Sequence, residues 1–308
     1  MSSKSVILSE AKDLFIALTI ATVLTACGEQ QTQPNTNASK AKDRGEQSLE
    51  DGSTAGQDAD AVPVDEDSGF ALFCANMENV PLTDEGLQGF AANVCTTDGK
   101  PTKLLATTLP AKAYDGGADE VALLKLADTI DDPTAKTTTM QVAGAVKLEV
   151  DAAKFFEKVT EFMDDTEAAR ALGIKLVDGV VEEETLEVYP SESDYHVKGW
   201  EKRAVLENQV STQVIRSEYG SRADHWQLAE GRAYLVTNYL TQSIKGVKGS
   251  AMFAAIIQEK GDTYLLAEIY ASTDNRGVPS VARDILVKLF RQGLKNMYEN
   301  GVIIADLP

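Results

Sequence analysis

From residue 140 onward, runs of alternating or β-branched apolar residues follow one another with turn signals between them. This succession limits the fold more than any other feature of the chain. Met140 to Val150 alternates at Val142, Gly144, Val146, Leu148 and Val150, the two-residue period of a strand with one buried face. Asp151 then stands as an N-cap before AAKFFEKVTEFMDD, where Phe155, Phe156, Val159, Phe162 and Met163 share one side of a helix. A second short helix, TEAARALG, ends at Gly173. Strand-like runs follow: TLEVYP, YHVKGWEKR, QVSTQVIRSEYG, DHWQLAE, AYLVTNYLTQSIK, SAMFAAIIQEK and DTYLLAEIYAS. The segments SESD, GSRAD, EGRA and KGD read as the turns between them. A last helix opens near Pro279 and Ser280 and gathers Ala282, Ile285, Leu286, Leu289, Phe290, Leu294 and Met297 on one face, with Gly301 as its end. The expected class is α+β, with a curved antiparallel sheet and a long C-terminal helix.

This order of elements, over about residues 140–300, resembles the helix-grip fold of START-like and pollen-allergen-like proteins. The resemblance implies a curved sheet that wraps the last helix around an apolar cavity. It is carried by element order and by no sequence motif. An antiparallel α+β domain with an ordinary packed core is the other reading of the same order.

The other end of the chain has a different character. Leu14 to Leu24 is an uncharged apolar run of eleven residues, too short for a bilayer span, which takes about 20, and the length of a signal-peptide core. The flank before it is atypical, because Glu10 and Asp13 offset Lys4 and Lys12. Leu24-Thr25-Ala26-Cys27 resembles the lipobox of bacterial lipoproteins. That resemblance implies cleavage before Cys27, acylation of its thiol, and anchoring of the mature chain in a membrane. Gly28, in place of the Asp that retains such proteins at the inner membrane, implies the outer membrane, facing the periplasm, in a Gram-negative cell. Residues 28–69 lack aromatic residues and carry ten acids against three bases, a composition that cannot bury enough surface to offset its ordering entropy. The expected organisation is a signal peptide (1–26), an acidic tether (27–69), an N-terminal region with a disulfide (70–139) and a main domain (140–308).

With Cys27 taken by lipid, Cys74 and Cys95 are the remaining thiols, and export to an oxidising compartment predicts that they pair. Their spacing is wrong for a redox-active Cys-x-x-Cys motif. Between them Thr83 is a candidate N-cap for a short helix carrying Leu87, Phe90 and Ala91. VALLKLA (Val121 to Ala127) reads as a strand or a helical turn, in a cap region or an elaboration of the main domain.

Composition narrows the chemistry. Lys and Arg number 29 against 48 Asp and Glu, a formal charge of −19, which repels phosphate backbones and argues against nucleic acid as a partner. Two histidines and three cysteines argue against a zinc cluster. The chain has no Gly-x-Ser-x-Gly, Walker A, Gly-x-Gly-x-x-Gly or His-Glu-x-x-His motif. GVKGSA (Gly246 to Ala251) reads as a hairpin connection, and Glu182 to Glu184 as a solvated face, not a metal site. His196 and His225 neighbour Asp194 and Asp224 in sequence and are the only candidates for a general base; both read as partly exposed residues beside turns. Trp200, Trp226, Tyr239, Leu289 and Phe290 are the candidate wall of an apolar pocket, with Tyr234, Tyr264 and Tyr270 adding aromatic mass to neighbouring strands.

The function expected from these readings is a non-enzymatic envelope lipoprotein, without metal or cofactor, whose domain binds an apolar small molecule or a lipid. An envelope interaction protein with a solid core, recognising a protein or polymer, is the alternative. A hydrolase using His196 or His225 is the third.

Overall fold

The computed structural model describes residues 62–132, 137–164, 179–189, 191, 193–210, 213–242, 247–274 and 280–305. The signal-peptide core, Cys27, most of the tether and the expected second helix after Asp164 lie outside the described residues.

Eight antiparallel strands form one curved sheet: β1 (Leu123–Asp132), β2 (Thr137–Leu148), β3 (Gly179–Tyr189), β4 (His196–Val210), β5 (Gln213–Ala229), β6 (Ala233–Gln242), β7 (Val247–Glu259) and β8 (Asp262–Asp274). Their order across the sheet is β1-β2-β8-β7-β6-β5-β4-β3. From β3 to β8 each strand pairs with the next, so the connections are hairpins; β2 closes on β8, the last strand, with Val142 opposite Ile269 and Leu148 opposite Thr263. The run VALLKLA enters this sheet as β1, antiparallel to β2.

The helices divide between the two faces. On one lie α1 (Gly69–Asn76), α2 (Glu85–Val94) and α3 (Leu109–Lys112), the last preceded by a π turn at Leu104–Thr108. On the other lie α4 (Ala152–Asp164) and α5 (Ser280–Ala305), a helix of 26 residues. Local chemistry starts several of them. Ser68 Oγ accepts from the Ala71 N–H to cap α1, and Asp151 Oδ1 accepts from the Lys154 N–H to cap α4. The cap of α2 is Asp84 rather than Thr83: its carboxylate accepts from the Leu87 N–H at 3.1 Å.

Two apolar cores result, one on each side of the sheet. On the disulfide face Phe70, Phe73, Leu87, Phe90, Leu105 and Leu109 pack on Leu235, Phe253, Ile257 and Leu266. A disulfide joins Cys74 of α1 to Cys95, the residue after α2, so the two helices covering this face are fastened to each other. On the long-helix face Phe155 and Phe156 of α4 and Phe290, Leu294 and Met297 of α5 pack on Val142, Val146, Leu265 and Ile269. Alternation along β2 places Val142, Val146 and Leu148 on that second face. Gly144 belongs to the same set, because a Cβ there would lie 2.6 Å from Leu294 Cδ1; the missing side chain is what lets α5 settle against β2.

Three local expectations give way. The segment GSRAD is no turn: β5 runs unbroken through Gly220 to Asp224, paired with β4 on one side and β6 on the other. Pairing on both edges overrides local turn propensity. Gly301 does not end α5, which continues to Ala305; a Cβ at Gly301 would meet Leu148 Cδ2 at 3.1 Å, so this glycine marks a close approach to β2. GVKGSA is not wholly connection, since Val247 already begins β7. The KGD segment does turn: Lys260 and Gly261 take φ of 51° and 92° between the paired residues Glu259 and Asp262. A two-residue hairpin turn of this kind needs positive φ at both positions.

Among the described residues no helix is long and apolar enough to cross a membrane, and no three His, Cys, Asp or Glu side chains are grouped to hold a metal ion.

Candidate functional site

Strand alternation decides which face each candidate residue serves, and it separates the proposed pocket wall. Trp226 and Tyr239 lie on the disulfide face, in or against the core beneath α1 and α2. Trp200 lies on the opposite face, edge-on to His225 with ring centroids 5.0 Å apart. Phe290 lies on that long-helix face too, against Gly144 of β2. Leu289 is in α5, but its side chain lies outside the described residues. The five residues therefore do not line one pocket. The physical reason is the period of two: Trp226 follows His225 directly, so the two must point to opposite faces. Tyr264 and Tyr270 join Trp226 on the disulfide face, and Tyr234 joins Trp200 on the other.

The two histidines separate in the same way. His196 is on the disulfide face, opposite Trp226 in the β4–β5 ladder. Its partner is Asp224, not its sequence neighbour Asp194: Nε2 lies 2.9 Å from Asp224 Oδ1. Arg222 grips the same carboxylate through Nε and Nη2, at 2.9 and 3.0 Å. Gly199 opens the space for this group, since a Cβ there would fall 2.4 Å from Asp224 Oδ1. His196 is 1% exposed and Asp224 2%, so the centre of this cross-strand cluster is buried. The expectation of partly exposed histidines beside turns gives way: both sit in strands, inside the protein.

His225 faces α4 and the long-helix side. Its Nδ1 lies 2.9 Å from Thr160 Oγ1. Phe156 stands 5.7 Å away by ring centroids and stacks in turn on Tyr234 at 4.3 Å. The imidazole is fully buried, and its Nε2 has no hydrogen-bond partner among the described residues. Burial pushes its pKa down to about 3, helped by the neighbouring Lys198 and His196. It is therefore neutral at physiological pH. A base whose conjugate acid has so low a pKa accepts protons poorly, which weighs against a hydrolytic role for His225.

The His225 surroundings thus include two aromatic walls, Phe156 and Trp200, the Thr160 hydroxyl, and one imidazole nitrogen without a partner among the described residues. A buried polar atom left unpaired costs about 1–3 kcal/mol. Sequence reading named both His225 and Trp200 without joining them; the signal that links them is the register of β4 on β5, where Trp200 opposes Ala223 and Lys198 opposes His225.

No protein-family model matches the chain, and no curated protein matches it in sequence. Among solved structures it is similar to the Zhui aromatase/cyclase from Streptomcyes sp. R1128, at 15% identity over 55% of this chain and 94% of that one, with a TM-score of 0.31. It is similar to Ara h 8.0201 at 13% identity over 54% of this chain and 99% of that one, with a TM-score of 0.33. It is also similar to a START superfamily protein from Mycobacterium smegmatis at 12% identity over 52% and 95%, with a TM-score of 0.30. Likeness at these scores assigns neither ligand nor activity.

Proposed function

We propose that the long-helix face holds a small apolar molecule bearing one hydroxyl group, and that this non-enzymatic domain is carried on a cell-envelope membrane through lipid on Cys27. On this reading the sheet, α4 and α5 act as the helix grip that the element order resembles. The observation that carries the ligand reading is the Nε2 of His225, without a partner among the described residues, beside Phe156 and Trp200. A hydroxyl is the matching group because it both donates and accepts. It satisfies Nε2 whichever ring nitrogen carries the proton. The neutral state of the ring favours a neutral ligand over an anion.

Titration with 2-naphthol and with 2-methylnaphthalene, followed by tryptophan fluorescence, tests this. The hydroxylated probe is expected to bind roughly three- to tenfold more tightly, the worth of one hydrogen bond. His225→Phe should remove that preference while keeping affinity for the hydrocarbon. Equal binding of both probes to the native chain, or of neither, defeats the proposal.

The anchor is tested separately in cells. Cys27→Ala is expected to abolish metabolic labelling of the chain by fatty acid, since the thiol is the acceptor. Labelling that survives the change would remove the membrane from the proposal.

A further inference from the structure

The segment leading into α1 crosses the tip of the β7–β8 hairpin and leaves a half-enclosed cleft of about 490 Å³ on the disulfide face. Part of its wall is apolar: Val62, Val64, Pro110, and the paired rings of Phe70 and Tyr264, whose centroids are 5.8 Å apart. Three carboxylates, Asp65, Glu259 and Asp262, and one ammonium, Lys260, complete it. The acids are not equivalent. Asp65 is on the exposed rim. Asp262 is already paired, with Lys147 Nζ at 2.9 Å. Glu259 is different: it is only 8% exposed, and the one hydrogen bond to its carboxylate among the described residues is a long one, 3.4 Å, from the Phe70 N–H to Oε2. Among the described residues no cationic side chain lies within ion-pair distance of it. Lys260, its sequence neighbour, is exposed and lines the cleft beyond ion-pair distance of that carboxylate.

A carboxylate taken out of water without a counter-charge is costly, and burial is tolerated when a cation comes to it. Aromatic faces attract organic cations within about 6 Å of the ring centroid, and more strongly when the site is dry. Metal ions are the poorer match, because only one of the three carboxylates is buried, Asp262 is engaged by Lys147, and no group of three His, Cys, Asp or Glu among the described residues is placed to hold a metal, whereas hard cations take six or more oxygens. We propose that this cleft binds a small organic ammonium ion, its charge on Glu259 and its alkyl groups against Phe70 and Tyr264. The site lies on the opposite face from His225 and does not depend on the ligand proposed there.

The test uses choline and its neutral carbon isostere 3,3-dimethylbutan-1-ol, titrated calorimetrically at low salt into the full chain. Choline is expected to bind saturably and at least about tenfold more tightly than the alcohol. Glu259→Gln preserves shape and an acceptor for the Phe70 N–H, and should erase the difference without altering 2-naphthol binding. Should that variant fail to fold, Asp65→Asn on the exposed rim is expected to weaken choline roughly two- to fivefold through the lost rim charge. No saturable choline binding, equal affinity for the two probes, or full choline affinity in Glu259→Gln overturns the proposal.

Discussion

Replacing Phe253 by alanine is expected to destabilise the domain by about 3–5 kcal/mol, the range for a large aromatic removed from a closed core. Phe253 is fully buried in the middle of β7 and meets Phe90 of α2 with ring centroids 5.3 Å apart. Deleting it takes away both the aromatic contact and the surface on which α2 rests. The sheet has a second core on its far side, built from other residues, so the loss should appear first in the helices of the disulfide face. Hydrogen exchange should therefore rise in Glu85–Val94 before it rises in Val142–Leu148. Denaturant unfolding of the variant, with Val197→Ala at an exposed position as the comparison, measures the effect. A cost under about 1 kcal/mol would mean that the N-terminal helices do not form a common core with the sheet.

The second large effect is a dependence on pH centred on Glu268. This residue lies in β8, 1% exposed, beneath α2. It accepts from Gln141 Nε2 at 2.9 Å and from Asn93 Nδ2 at 3.4 Å, and Lys125 Nζ donates to Asn93 Oδ1 at 2.9 Å. Burial raises its pKa from 4.5 to about 7, against the opposing pull of Lys125, Asn93 and Gln141. The folded protein thus holds a proton that the unfolded chain gives up at lower pH. Stability is fullest below about pH 4.5 as far as this group is concerned and declines as pH rises through 7. At 1.36 kcal/mol per unit the decline amounts to about 3 kcal/mol. Glu268→Gln removes the ionisation, and the amide groups of Asn93 or Gln141 can turn to meet the new donor. The variant is expected to gain on the native protein by about 3 kcal/mol between pH 4.5 and pH 8, read from urea unfolding at both. Parallel pH profiles for the two proteins would show that Glu268 ionises without cost.

Both effects belong to the face that was hardest to read in the sequence. Residues 96–122 are rich in turns and carry no clear period, and nothing in them announces a cover for a sheet formed later in the chain. Helix α1 is apolar nearly all round, so no stripe points to its partner; what it packs against comes from β5, β6 and β7, more than a hundred residues on. Periodicity is local information, and it reports that a surface must be buried without saying against what.

The residues themselves determined a good deal. The alternation of Val142, Val146 and Leu148 marked a strand and its buried face; Asp151 marked the start of α4; two cysteines in a chain carrying an export-like leader marked a disulfide. Each of these depends on atoms within a few residues, or on an oxidising environment. Tertiary structure decided the rest. It joined GSRAD into one long strand, because ladders on both edges outweigh a local preference to turn. It set Trp226 and Trp200 on opposite faces and paired His196 with Asp224 instead of Asp194, because cross-strand register chooses among neighbours that sequence distance cannot rank. It left Glu259 near Phe70 and Tyr264, and His225 near Thr160 and Phe156, by packing helices onto a sheet whose faces differ by one residue of register.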